Sequence, residues 1–598
     1  MVRAAFRTGF RTCVGRQIKR RDDRLFLLSL TVTTKKCTGL LAELEVLKRR
    51  FGSSPDQLEQ KLRALHGCEI DSPDQLIRFH EALLFFRAYP PNASVLNQVE
   101  RILKTFEQRV SRLRDADADL SPLDDPEVSG IAGTSVTSNF SYDLVRWLVA
   151  KYSAQVSIDW DWFEEEERFG ASMRRFLPLL EEDAMVEAHV PYRDWLRAAT
   201  GRANELIWLM KRFESLDVPD KAKAELYDSM KLHVTWKFEA RVSRTEMKRS
   251  GRAGFYHERP LIHRRDVSLA AELASPTIPV EGISRAAGEK ILDVARETSA
   301  VRYRELHGFT YGSSGRVLKA DFGRGTEAFV MGVPPEHRLP LRAYHAALIF
   351  KNGVPVAYFE GLSLFERMES GFNLYYTFRE GETAWLYARI LRLMRQLLGV
   401  IVFSIDPYQI GHENEEGIES GAFWFYRKLG FRPVRPELMK LTLSEERKLA
   451  TDPGRRTSAQ TLRKLAAGHM LFETPNTVQP AHSGQWDRFE VRNVGLAVQR
   501  SMAREFKSDP QKIRTQSVEF VKRGLKLRTK RWRGAEIGAL DNLALVLAVV
   551  PGAEQWSPGE KQLAARIIQA KAGRDEALYL RLMQKHERLR SAIIKLGS

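Results

Sequence analysis

Cysteine is nearly absent: the 598 residues hold three, Cys13, Cys37 and Cys68, at spacings that match neither a disulfide framework nor a metal knuckle. A reducing compartment, the cytoplasm, is the expectation. No apolar run reaches the roughly 20 residues of a membrane-crossing helix; the stretch 543–550 has only the length of a buried helical segment. Residues 1–21 contain no acid and no long apolar core, so a basic arm is expected there rather than a secretory signal. The glycine pairs within 309–330 are not followed by Lys-Ser or Lys-Thr, which excludes a phosphate loop of the nucleotide-triphosphatase kind. His257 and His263 belong to no His-Glu-x-x-His pattern and no cysteine or carboxylate array joins them, so no metal site is expected.

What the chain does have is ordinary for a folded protein: 43% hydrophobic and 28% charged residues. Its length exceeds what one core supports and implies about two to four domains. The formal net charge of +18 permits attraction to nucleic acid, the phosphates of acyl-CoA or an anionic surface, and by itself identifies none of them.

Taken in order, the N-terminal region 1–125 reads as a strand at 25–34 followed by helices. Ser54-Pro55-Asp56-Gln57-Leu58 recurs as Ser72-Pro73-Asp74-Gln75-Leu76. Each places a capping serine, a proline in the first turn and a carboxylate near the positive helix end, so each starts a helix. The stretch 115–133 is rich in Asp, Pro, Gly and Ser and marks a boundary. From 134 to 250 the pattern is helical, with Trp147, Phe213 and Trp236 as core aromatics. Four consecutive glutamates, 164–167, spread around a helix and form a solvated face. The last domain, 486–598, is helical and basic; its stretch 522–533 carries seven Lys and Arg and no acid. A solvated helix face is favoured there over nucleic-acid binding, because no recognised nucleic-acid motif accompanies it.

The informative stretch is 341–436. Residues 344–350 are an apolar, β-favouring run that ends in Asn352-Gly353, a strong signal for a tight hairpin turn, and 356–364 returns as a second strand. Gly361 interrupts that strand, where a bulge or a close ligand would fit. A short third strand covers 372–376. Apolar residues then recur every three to four positions from Ala384 to Leu398, an amphipathic helix that Gly399 ends. Residues 400–405 lack a polar face over most of their length, as in a strand covered on both sides. A final amphipathic helix spans 422–431. The expected fold is therefore multidomain, with mostly α-helical N- and C-terminal regions flanking a central α/β mixed-sheet domain over 285–440.

The pattern Ala422-x-x-x-Tyr426-x-Lys428-Leu429-Gly430-Phe431, after a buried strand and an amphipathic helix, resembles the end of a domain of the GNAT superfamily of N-acyltransferases. The resemblance implies a splayed parallel strand pair, here 356–364 and 400–405, with a slot between them that holds the pantetheine arm of acetyl-CoA or another acyl-CoA, and a turn before the central helix that cradles the pyrophosphate. It implies Tyr426 as the acid that protonates the leaving thiolate, with a small-molecule or protein amine as acceptor. Onto this sequence it places Gly361, Leu362 and Leu364 along the pantetheine strand, and Arg379, Gly381, Thr383 and Ala384 at the pyrophosphate turn. Glu382 stands where the family's turn has its inner glycine, and a carboxylate facing a diphosphate is a like-charge contact. Glu360 and Glu366, near the second strand, are the candidate bases, and His412 and Glu413, after the buried strand, are further candidates. The alternative reading is a non-catalytic scaffold or binding protein of the same fold, with the basic C-terminal helix contacting phosphate or nucleic acid.

Overall fold

The computed structural model describes residues 37–48, 51, 55–177, 191–239, 242–249, 254–452, 454–475 and 483–598. The expected strand at 25–34, the basic arm and Cys13 lie outside the described residues. Helices do begin at Pro55 and Pro73, as their proline-acid starts imply; Ser72 takes the cap backbone geometry without a side-chain cap bond.

The centre is a nine-stranded mixed sheet. Its strands are β4 (Val280–Gly282), β5 (Leu318–Gly323), β6 (Thr326–Met331), β7 (Ala343–Lys351), β8 (Val354–Leu364), β9 (Arg367–Leu374), β10 (Val402–Ile405), β11 (Arg432–Pro433) and β12 (Met470–Glu473). The spatial order is β11-β12-β10-β9-β8-β7-β6-β5-β4. Strands β4 to β9 form an antiparallel meander, and β9 alone meets its neighbour β10 in parallel. A parallel pair needs a crossover, which the helix Thr383–Leu398 supplies.

Strand β7 is buried along its whole length because both faces are covered. Ala346, Leu348 and Phe350 pack with Ile291 and Leu292 of the helix Arg285–Ala300 on one face. Ala347 and Ile349 join the core under Thr383–Leu398 on the other. The β7–β8 turn is Asn352-Gly353, with φ of 48° and 79°, the left-handed pair that a tight hairpin requires. Asn352 also ties the hairpin to the N-terminal region: its amide donates to Ala88 O at 2.8 Å and Phe255 O at 3.0 Å.

The N-terminal helices, the central sheet and the C-terminal helices share one continuous apolar core, from Leu41 through Phe403 to Ile594. A second core surrounds Trp236, Phe213 and Tyr142. There the helices expected over 134–250 are joined by a small sheet that the sequence pattern did not show. Strands β1 (Ser135–Ser138), β2 (Val156–Ile158) and β3 (Val234–Lys237) form an antiparallel sheet in the order β1-β3-β2. Strands of three or four residues show at most two inward side chains, too few for a period to emerge from the surrounding helical pattern. Among the described residues no helix is long and apolar enough to cross a membrane.

Candidate functional site

The opening in the sheet lies between β9 and β10. These strands pair only over Arg367–Glu369 against Val402–Ser404. Beyond that, β9 continues to Leu374 with β8 as its sole strand partner, while β10 ends at Ile405 against β12. Tyr375 N–H bonds Val356 O on the β8 side at 3.0 Å. Alternation along the strand therefore turns the backbone groups of Phe372 and Leu374 toward the open side. A cavity of about 470 Å³ fills this gap, with Phe372 and Leu374 on one wall and Phe425 and Tyr426 on the other.

The expected slot lay between 356–364 and 400–405, and here the structure differs: β9 stands between those strands. Gly361 sits in a regular ladder, opposite His345 and Ser370, and the irregularity in this hairpin falls at Ile349/Phe350 instead. Gly361, Leu362 and Leu364 thus lie one strand away from the cavity and do not line it. A Cβ at position 361 would come within 2.8 Å of Met368 Cε, the movable end of a flexible side chain.

At the other end of the cavity is the turn that starts the helix Thr383–Leu398. Tyr376–Phe378 forms a 3₁₀ turn, and Arg379 to Glu382 leads into the helix. The N-terminal region holds this turn from behind. The Thr377 hydroxyl donates to the buried Glu81 carboxylate, itself paired with Arg244 at 3.1 Å. Gly381 lies against Tyr89, where a Cβ would fall 2.5 Å from the phenol oxygen. Gly381→Ala is accordingly expected to cost about 1–3 kcal/mol of stability, while Gly315→Ala, with open space at its Cβ, serves as a near-neutral control. Chemical denaturation of both variants checks this, and equal midpoints would remove the claim.

Glu382 does not face the cavity. Its carboxylate is fully buried behind the helix start and accepts from Arg324 Nε at 3.0 Å, Lys351 Nζ at 2.8 Å and Ile262 N–H at 3.2 Å. Burial pushes this carboxyl's pKa up, but Lys351 and Arg324 together outweigh burial and hold it below the usual carboxylate range. The like-charge contact raised by the sequence is thereby avoided.

Thr383 lines the cavity and Ala384 is buried behind it. Arg379 stands at the mouth, partly exposed, lying over Tyr376 at 5.3 Å and paired with Glu416 and, at 3.8 Å, with Glu127. Arg304, also at the mouth, pairs with Glu127 at 3.0 Å and with Glu416 at 3.8 Å.

Tyr426 is 4% exposed and lines the cavity, and its hydroxyl has no protein partner among the described residues. Its ring packs edge-on against Tyr387 and Phe431, at 5.6 and 5.7 Å. Burial alone drives the phenol far above its ordinary pKa, so it stays protonated and is a donor in wait of an acceptor.

The structure does not bring the candidate bases to this tyrosine. Glu360 accepts from the Tyr344 hydroxyl, and Glu366 sits at the closed end of the sheet, held by Trp486 Nε1 at 2.7 Å and Arg590 Nε at 3.0 Å. His412 and Glu413 are exposed in the loop after β10.

Sequence reasoning missed a different group. Glu369 is the last β9 residue paired with β10, Asp406 follows β10 directly, and His469 precedes β12; their ligand atoms lie within 4.8 Å of one another. Glu369 is approached by Arg342 at 3.3 Å and by Arg367 at 3.9 Å. His469 Nδ1 is buried without a partner, and burial, aided by Arg367, keeps the imidazole's pKa below its ordinary value. Both guanidiniums answer Glu369, and that positive charge opposes a cation at this group. The only signal in the chain was a glutamate two residues before Gly371, in a stretch too polar to read as a central strand.

Comparison of the chain with protein-family profiles, with curated proteins and with solved structures gave no match. The functional reading rests on the cavity and its walls.

Proposed function

We propose that this chain is an acyl-CoA-dependent N-acyltransferase acting on an amine. The observation that carries the reading is the divergence of β9 from β10, with the unpaired backbone edge of Phe372 and Leu374 facing a cavity of about 470 Å³. Such an edge hydrogen-bonds an extended amide-containing arm as an added strand would. The helix start at Thr383 presents backbone N–H groups and positive dipole at the same cavity, which suits a diphosphate.

In this arrangement the amine nitrogen attacks the thioester carbonyl carbon, the carbon–sulfur bond breaks and the sulfur takes the Tyr426 proton, which the buried phenolate regains from solvent. The proton that the amine loses passes to solvent and through it to the Glu369, Asp406 and His469 group at the apex of the divergence, which stands outside the cavity lining. His469, kept neutral by burial, is the member suited to this, and Glu360 and Glu366 keep structural duties. A second reading, a non-catalytic scaffold of the same fold, is favoured by one observation: the Arg379 guanidinium is already engaged by Glu416. Binding by the first reading requires that this pair open at the mouth.

Equilibrium titration of the intact chain with acetyl-CoA and with free CoA decides between them. Saturable binding of both is expected, weakened about tenfold or more by Arg379→Ala. Thiol release in the presence of a panel of amines is expected to fall by about 10²-fold in Tyr426→Phe with binding retained. Absence of binding by the folded chain sinks the transferase and leaves the scaffold.

A further inference from the structure

A second cavity, of about 520 Å³, lies at the opposite end of the helix Thr383–Leu398 from the pyrophosphate turn. Leu397 and Leu398 of that helix, Leu318 and Val330 of the sheet, and Ala577 and Leu578 of the helix Ala577–Gln584 give it apolar walls. Leu578 is 55% exposed, one of the few large apolar side chains left in solvent. None of these residues belongs to the cavity between β9 and β10, so the two sites are independent.

Its polar lining is unbalanced. Arg316, Arg338, Arg574 and Arg581 face Asp575 and Glu576. Glu576 is already neutralised by the buried Lys571 at 2.5 Å and accepts from Tyr344 N–H at 3.1 Å. Arg338 is used as a clasp, donating to Val333 O at 3.2 Å and Gly573 O at 2.9 Å, and Arg581 donates to Leu397 O at 3.0 Å; neither donation to a carbonyl cancels a charge. Arg316 and Arg574 have no ion pair among the described residues.

Two polar side chains in the lining hold buried atoms without partners. One is Arg316, whose Nη1 is buried and unbonded. The other is His345 on β7, 7% exposed, with Nδ1 buried and neither ring nitrogen hydrogen-bonded among the described residues. Burial pushes the His345 imidazole's pKa below its ordinary value, so it is neutral at pH 7, with one nitrogen donating and the other accepting. A buried donor without an acceptor forfeits its hydration, and here two polar side chains with unmet hydrogen-bonding capacity line one cavity. Surplus positive charge specifies an anion, and the leucine walls specify an apolar body.

We propose that this cavity binds an amphipathic carboxylate, its head group on Arg316 and His345 and its alkyl chain along Leu318, Val330, Leu397 and Leu398.

The test uses the intact chain and three probes: decanoate, decanol and inorganic phosphate, with binding measured by calorimetry and by thermal shift. Decanoate is expected to bind saturably and raise Tm, with decanol and phosphate each at least tenfold weaker. Arg316→Met is expected to weaken decanoate at least tenfold and to leave the Tm of the unliganded chain within a few degrees. His345→Phe removes the unbonded nitrogens while keeping a ring in place. It is expected to hold or raise the unliganded Tm and to lose decanoate affinity, which a merely structural histidine would not do. The proposal is overturned if decanoate does not saturate, if decanol or phosphate binds as tightly, or if both variants bind decanoate like the parent chain. Acetyl-CoA titration of the same variants is expected to be unchanged, which separates this site from the transferase reading.

Discussion

Glu382→Ala is expected to destabilise the chain by about 3–5 kcal/mol, the cost of removing one partner from a buried ion pair. Lys351 is fully buried, as is the Glu382 side chain, and their 2.8 Å contact is joined by Arg324, whose side chain is 28% exposed. Without the carboxylate, Arg324 can turn to solvent but Lys351 cannot. Its Nζ keeps Arg324 O at 2.7 Å and the faces of Tyr89, Phe255 and Trp385 at 5.0 to 5.8 Å, which together do not replace a counter-charge. Burial has already pushed this lysine down to about 8 with Glu382 present. Urea unfolding measures the loss, and the double change Glu382→Leu with Lys351→Met is expected to cost less than the single one, because it removes both charges together. The same variant reports on the site. A glutamate aimed at the diphosphate position would, on removal, leave stability within about 1 kcal/mol and tighten acetyl-CoA binding by relieving repulsion. The buried orientation calls for the reverse: lower stability and, with the helix start loosened, weaker binding.

That orientation shows where sequence reasoning stops. The β7–β8 hairpin and the helix Thr383–Leu398 were legible because their signals are local: an Asn-Gly turn, three-to-four periodicity, and Gly399 in the left-handed region with φ of 73°. The start of β9 was not, because Arg367, Glu369, Ser370 and Gly371 look like a loop. Tertiary partners satisfy them instead. The Ser370 hydroxyl meets the Tyr387 hydroxyl at 2.8 Å, Glu369 faces arginines, and Arg367 lies over Trp486 at 5.7 Å. Missing those residues moved the opening by one strand and with it the backbone groups assigned to pantetheine. The turn's supports were equally invisible, since Glu81 and Tyr89 lie almost 300 positions away from Thr377 and Glu382. Tyr426 was placed from the resemblance, and its unbonded hydroxyl at the cavity wall is information only the packed chain holds.

Stability is expected to fall as pH drops from about 6.5 to 4, by several kcal/mol, through two histidines buried neutral in those supports. His80, fully buried, has Nδ1 3.1 Å from Glu81 and Nε2 2.9 Å from Thr245 Oγ1. Burial, with Arg244 and Arg87 near it, pushes its pKa down to about 4 in spite of Glu81. His257, 2% exposed among Phe51, Tyr89 and Phe255, is pushed down to about 3 by burial first and Lys351 second. The folded chain therefore binds fewer protons at these positions than the unfolded chain does below the ordinary histidine value of about 6.5. Their contribution is complete above that value and is lost as pH falls toward the folded pKa values. Each fully shifted group gives a slope of about 1.4 kcal/mol per pH unit. Unfolding free energies at pH 7, 5.5 and 4.5 measure it, and His257→Phe is expected to flatten the acid limb by up to that slope; an unchanged limb would refute the assignment. Because Glu81 anchors Thr377 and Tyr89 braces Gly381, protonation loosens the turn at the start of the central helix. On the proposed acyl-CoA function, acetyl-CoA affinity should then decline over the same pH interval while the rest of the chain remains folded, and His257→Phe should move both changes together.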